Sequence, residues 1–142
     1  MRYSENIDYL IAAVVYLGTS SAAWARTAPN MALDLALDEK RLRTVLDGFP
    51  GLFRKSRAAN ESGEHFYSLQ ARYALRTEYG HVERSTKIPP LPMENIKLVY
   101  DFILRSADDE RTARRTKIGN GIAVAAAVIS SLAAIATALV AD

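Results

Sequence analysis

The sequence predicts a mainly α-helical chain that carries a small β-hairpin, a Pro-rich linker and a long helix continuing into a single C-terminal transmembrane segment. Three observations predict it. Apolar residues recur at helical spacing through Glu5–Leu17 and again through Leu42–Leu46. Between Leu52 and Gln70 the pattern changes to alternation, and Pro50-Gly51 and a run of small polar residues supply turns. Finally, Ile118–Ala141 holds no charged residue, because all 18 Lys and Arg and every Asp and Glu except Asp142 lie before it.

In chain order, Ile7, Leu10, Ile11, Val14 and Val15 give the first helix one broad apolar face, and Gly18 is read as its end. Thr27 offers an N-cap to a short second helix, with Pro29 in its first turn and Met31, Leu33, Leu35 and Leu37 as apolar anchors. Asp38 caps a third helix over Glu39–Asp47. Its Leu42, Val45 and Leu46 face inward, its Lys40, Arg41, Arg43 and Thr44 lie on or near the outer face, and Gly48 stops it. Leu52–Ser56 reads as a strand, Ala58–Gly63 as a loop and Glu64–Gln70 as the returning strand. Ala71–Tyr79 is then helical, with Tyr73 and Leu75 packing back and Arg72 and Arg76 outward. Pro89, Pro90 and Pro92 fit neither a helix interior nor a central strand and mark a boundary at 86–92. From Met93, the residues Ile96, Val99, Tyr100 and Ile103 resume helical periodicity, and the charged stretch to Lys117 leads without a breaker into Ile118. The resulting organisation is a domain over 1–85, a linker over 86–92, a stalk helix over 93–117 and a transmembrane helix over 118–141.

Three helices followed by a hairpin resemble a winged helix-turn-helix domain over residues 5–77, about half the chain. The third helix is entered through Asp38-Glu39-Lys40-Arg41 and left through Leu46-Asp47-Gly48-Phe49. The resemblance implies that this helix sits in a DNA major groove with the hairpin along the backbone. Lys40, Arg41, Arg43 and Thr44 are then the helix contacts, and Arg54, Lys55 and Arg57 the wing contacts. Winged helices also serve as protein-interaction modules, in which the same charges meet a protein partner. Fold alone does not choose between these uses.

As a helix, the 24 residues Ile118–Ala141 rise ~36 Å, against roughly 30 Å of bilayer hydrocarbon, and their apolar side chains occur all round the helix. Arg111, Arg114, Arg115 and Lys117 flank the segment on its N-terminal side and only Asp142 follows it. Positive flanks stay cytoplasmic, so the reading is a tail-anchored, single-pass protein of the inner, cytoplasmic membrane with its N-terminal domain in the cytosol. Ala126, Ser130, Ala134 and Ala138 form a small-residue row at four-residue spacing, which lets helix backbones approach closely and favours a homo-oligomer. The apolar run Tyr9–Gly18 with Ala23-Trp24-Ala25 imitates a signal peptide, but Glu5 and Asp8 oppose the positive start that such peptides need.

The remaining composition is ordinary. The whole chain has a formal charge of +2, too little by itself to argue for nucleic acid. No Cys means no disulfide framework and no thiolate metal site. The two histidines, His65 and His81, form no His-x-x-x-His pair, and Glu78 with His81 is a single Glu-x-x-His spacing with no second pair. No Gly-x-Ser-x-Gly elbow occurs, and Asp108-Asp109-Glu110 beside Arg111 reads as helix-surface pairing. The expectation is a non-enzyme without metal or cofactor: a membrane-anchored binding or sensor module that meets a macromolecular partner, a protein foremost, and acts as a membrane effector or in defence. The alternative is a membrane-bound winged-helix transcription regulator that binds DNA.

Overall fold

The computed structural model describes residues 1–22, 24–78 and 88–140, with side chains to Ala74 in the fourth helix and to Thr116 in the last. The chain divides into two compact units, Met1–Ala107 and Asp108–Asp142.

In the first unit, helix α1 (Ile7–Thr19) buries Leu10, Ala13, Val14 and Leu17, a stripe set by their three- and four-residue spacing. Val15, read from the sequence as part of that stripe, is exposed. The helix ends at Thr19, next to Gly18 as expected. That glycine is buried because Ile96 lies on it: a Cβ there would meet Ile96 Cδ1 at 3.3 Å. Its lack of a side chain serves close packing.

A three-residue strand, β1 (Ala25–Thr27), precedes helix α2 (Ala28–Leu35). Thr27 stands at the N-cap with extended backbone and Pro29 follows in the first turn, where a missing N–H costs nothing. Met31 and Ala32 are buried, but Leu33 is 82% exposed, which corrects its reading as an anchor. The four anchors were spaced every second residue, and a helix turns 100° per residue, so they cannot share one face.

Helix α3 (Glu39–Gly48) begins where Asp38 accepts a hydrogen bond from the Arg41 N–H at 2.7 Å, and it buries Leu42, Val45 and Leu46. Strands β2 (Phe53–Ala59) and β3 (His65–Leu69) follow, and β3 pairs antiparallel with both β1 and β2, giving the order β1-β3-β2. The β2–β3 register shifts between Lys55 and Ala59. There Ser56 Oγ accepts from the Phe66 N–H at 2.9 Å and donates to the Ala58 carbonyl at 2.7 Å, replacing interrupted ladder bonds. The turn closes through Asn60, whose side-chain oxygen accepts from the Ser62 and Glu64 amides, with Gly63 at φ 77° in the left-handed region.

Helix α4 (Gln70–Glu78) continues directly from β3, and helix α5 (Met93–Val140) follows the Pro-rich segment. Ile88 and Leu91 in the stretch read as a linker, and Ile96, Ile103 and Ala107 in the stretch read as a stalk, are buried in the first unit. One core joins α1, α2, α3, Phe49, Leu52, Phe53, Tyr67, Leu69, Leu91, Ile96 and Ile103. Burial of each large aliphatic side chain contributes about 1.5–3 kcal/mol.

The second unit continues α5 through Val140. Arg111, Arg114 and Arg115 are exposed, and the Thr116 hydroxyl donates to the Thr112 carbonyl at 3.0 Å. Among the described residues, no helix is long and apolar enough to cross a membrane. The side chains of Ile118–Ala141, including Ala126, Ser130, Ala134 and Ala138, lie outside them, as do the Lys117 side chain, Ala23 and His81.

Candidate partner-binding surface

Helix α3 and strand β2 carry all seven residues that the sequence marks for partner contact. The helix turns Lys40, Arg41, Arg43 and Thr44 away from its buried stripe of Leu42, Val45 and Leu46. Strand alternation separates Lys55 from Arg54 on the two faces of the sheet.

The cations of this surface are largely occupied by the protein itself. Arg43 pairs with Glu39 one turn earlier at 2.9 Å and with Glu64 at 2.8 Å, joining α3 to the end of the hairpin loop. Those hydrogen bonds, Glu64 first and Glu39 second, hold the guanidinium still more firmly protonated than usual. In return, the hydrogen bond from Arg43 holds the Glu64 carboxyl below the ordinary carboxylate range. Arg41 donates to the Glu5 carbonyl at 3.1 Å and its guanidinium lies 4.8 Å from the centre of the Tyr9 ring, so it staples α3 to the start of α1. Thr44 donates back to the Lys40 carbonyl at 2.8 Å.

On β2, Lys55 pairs with Asp47 at 3.0 Å while the hydroxyl of Tyr67 donates to the same carboxylate at 2.9 Å. Hydrogen bonds to Asp47 and Tyr67 raise the Lys55 pKa, and burial, followed by the bond to Asp47, raises that of Tyr67. The Arg54 guanidinium carbon lies over the Tyr73 ring, 3.7 Å from its centre, and the Trp24 ring centre is 6.1 Å from that of Tyr73. Among the described residues, only the Lys40 and Arg57 side chains of the seven make no hydrogen bond, ion pair or ring contact.

The resulting surface is polar, sign-mixed and internally cross-linked. Sequence spacing located the seven residues and Asp47 as a counter-charge on the same helix, but not Glu39 and Glu64; the three carboxylates pair with Arg43 and Lys55. Glu39 lay within reach because it stands four residues before Arg43 on one helix face. Glu64 did not, because its meeting with Arg43 depends on how the hairpin folds over. Among the described residues no group of His, Asp and Glu is placed to hold a metal ion. The His65 ring, Nδ1 at 2.9 Å from the Ser56 carbonyl, must carry its proton on that nitrogen and helps to hold the hairpin where its register shifts.

No protein family, curated protein or solved structure matches the chain. The surface must therefore be read from its own chemistry.

Proposed function

We propose that the chain is a membrane-anchored, non-enzymatic binding module whose N-terminal unit meets a protein partner through α3 and the β2–β3 hairpin. The observation that carries this reading is the pairing of Arg43 with Glu39 and Glu64 and of Lys55 with Asp47. A DNA-facing surface needs cations free to replace counterions at phosphates. Cations already neutralised by neighbouring carboxylates bring those carboxylates toward the phosphates as well, which opposes binding. A protein surface of mixed charge suffers no such penalty and gains partner discrimination from the pattern. The order of three helices followed by a hairpin favours the second reading, a winged-helix DNA-binding regulator, and Lys40 and Arg57 are its remaining open cations.

The anchor reading is supported by the uncharged sequence Ile118–Ala141, by the helical backbone running to Val140, and by the exposed Arg111, Arg114 and Arg115 before it. Alkaline-carbonate extraction compares the full chain with a version stopped after Thr116. The expected result is that only the full chain stays with the membrane, and extraction of both removes the anchor. Titration of the full chain with duplex DNA over a range of salt separates the two partner classes. No salt-dependent binding is expected, whereas a steep loss of affinity with salt that weakens on replacing Lys40 and Arg57 establishes the DNA reading.

A further inference from the structure

Arg72 on α4 is the bulkiest fully buried side chain among the described residues, 1% exposed, where its charge predicted an outward position. Its guanidinium donates to three backbone carbonyls, from Nη1 to Leu17 at 2.7 Å, from Nη2 to Ile88 at 2.7 Å and from Nε to Pro89 at 3.0 Å. No carboxylate pairs with it among the described residues, and its burial favours loss of charge. A buried cation without a counterion is tolerated only while its hydrogen bonds are met together. Here they come from two places: the last turn of α1 and the segment that leads into α5.

The same segment is tied down at other points. The Leu91 N–H donates to the Gly18 carbonyl at 2.9 Å, Ile96 packs on Gly18, and Phe102 meets the Tyr3 ring edge-on at 5.7 Å. Only one side of it is buried, however, since Met93, Leu98 and Phe102 on α5 are more than half exposed. When Ile88 and Pro89 leave, Arg72 keeps only its bond to the Leu17 carbonyl, and its Nε and Nη2 must turn to water. The contacts are therefore lost together rather than one at a time.

We infer that residues 88–107 form a strap that docks onto and undocks from the rest of the first unit as one piece, with Arg72, bonded to Leu17, Ile88 and Pro89, as its lock. Undocking uncovers Leu91, Ile96 and Ile103 and frees the start of α5. This makes the root of the long helix a two-state element whose balance a bound partner can shift. The inference stands apart from the membrane and partner readings.

Amide hydrogen exchange on the full chain, purified in a mild detergent, tests it in the wild type, Arg72→Met and Phe102→Ala. In the wild type, the amides of Leu91 and of residues 96–107 are expected to exchange as a group, faster than the ladder amides of β2 and β3. Each substitution should speed that group by about tenfold or more with the β2–β3 ladder unchanged. Phe102→Ala, at an exposed position, decides the matter if Arg72→Met does not fold. Equal acceleration of strap and ladder, or none in the strap, overturns the inference.

Discussion

Ala36 ends α2 at φ 53°, ψ 43°, a left-handed conformation that an L-residue with a Cβ adopts at a cost. Its N–H meets the Ala32 and Leu33 carbonyls and the Leu37 N–H meets Ala32, so the helix end requires that geometry. Ala36→Gly is expected to stabilise the unit by about 0.5–1 kcal/mol, read as a higher urea midpoint at unchanged slope. Asp38→Ala, which removes the cap on Arg41, should cost about 1 kcal/mol in the same titration. Glu64 supplies a pH effect. Its folded pKa is lowered by Arg43, so its contribution is complete above the unfolded value of about 4.3 and is lost as pH falls through the folded one. Melting temperatures measured from about pH 7 to pH 3 should therefore fall less steeply for Glu64→Gln than for the wild type. Single-residue chemistry was legible where it acts locally: Asp38 as a cap depends only on the next three positions. Arg72 was not, because the carbonyls that make its burial tolerable belong to residues far away in sequence.

Among the elements, α1 and α3 were legible because an apolar stripe and a cap are periodic local signals. Strand β1 was not. Three residues are too few to show alternation, and Ala25–Thr27 is a strand only because Ser68, Tyr67 and Phe66 lie opposite. Strand β2 reaches Ala59, beyond its expected end at Ser56, because Ser56 itself bridges the register shift. The close approach of α1 and α5 at Gly18 gives a prediction at this scale. Gly18→Val adds branched carbons where even a Cβ would lie 3.3 Å from Ile96, and should cost about 1–3 kcal/mol by thermal unfolding. A companion Ile96→Ala, which opens that space, should recover part of the loss.

Across the molecule, the uneven distribution of charge was the plainest signal in the sequence, since it needs only a count along the chain. The face formed by α3 and the hairpin was legible as a location, because helix and strand periods place its cations outward. Its character was legible only in part, through Asp47 on the same helix. Glu64 and Asp47 neutralise Arg43 and Lys55 across elements, which turns a row of positive residues into a surface of mixed sign. Replacing Glu39 and Glu64 by Gln should free Arg43, and a duplex-DNA titration of that variant should show more salt-sensitive binding than the wild type. The end of α1 has a consequence for synthesis. Ser20 and Thr19 close locally on the Tyr16 and Val15 carbonyls, but the carbonyls at Leu17 and Gly18 are met by Arg72 and Leu91, so the last turn of this helix is completed by residues far along the chain. On the ribosome, its last turn is expected to fray until Leu91 has emerged, long after the rest of the helix has found α2 and α3. Protease probing of stalled nascent chains should find cleavage near Tyr16–Ser20 in those whose exposed part stops short of Leu91, and protection in those whose exposed part extends past Ala107.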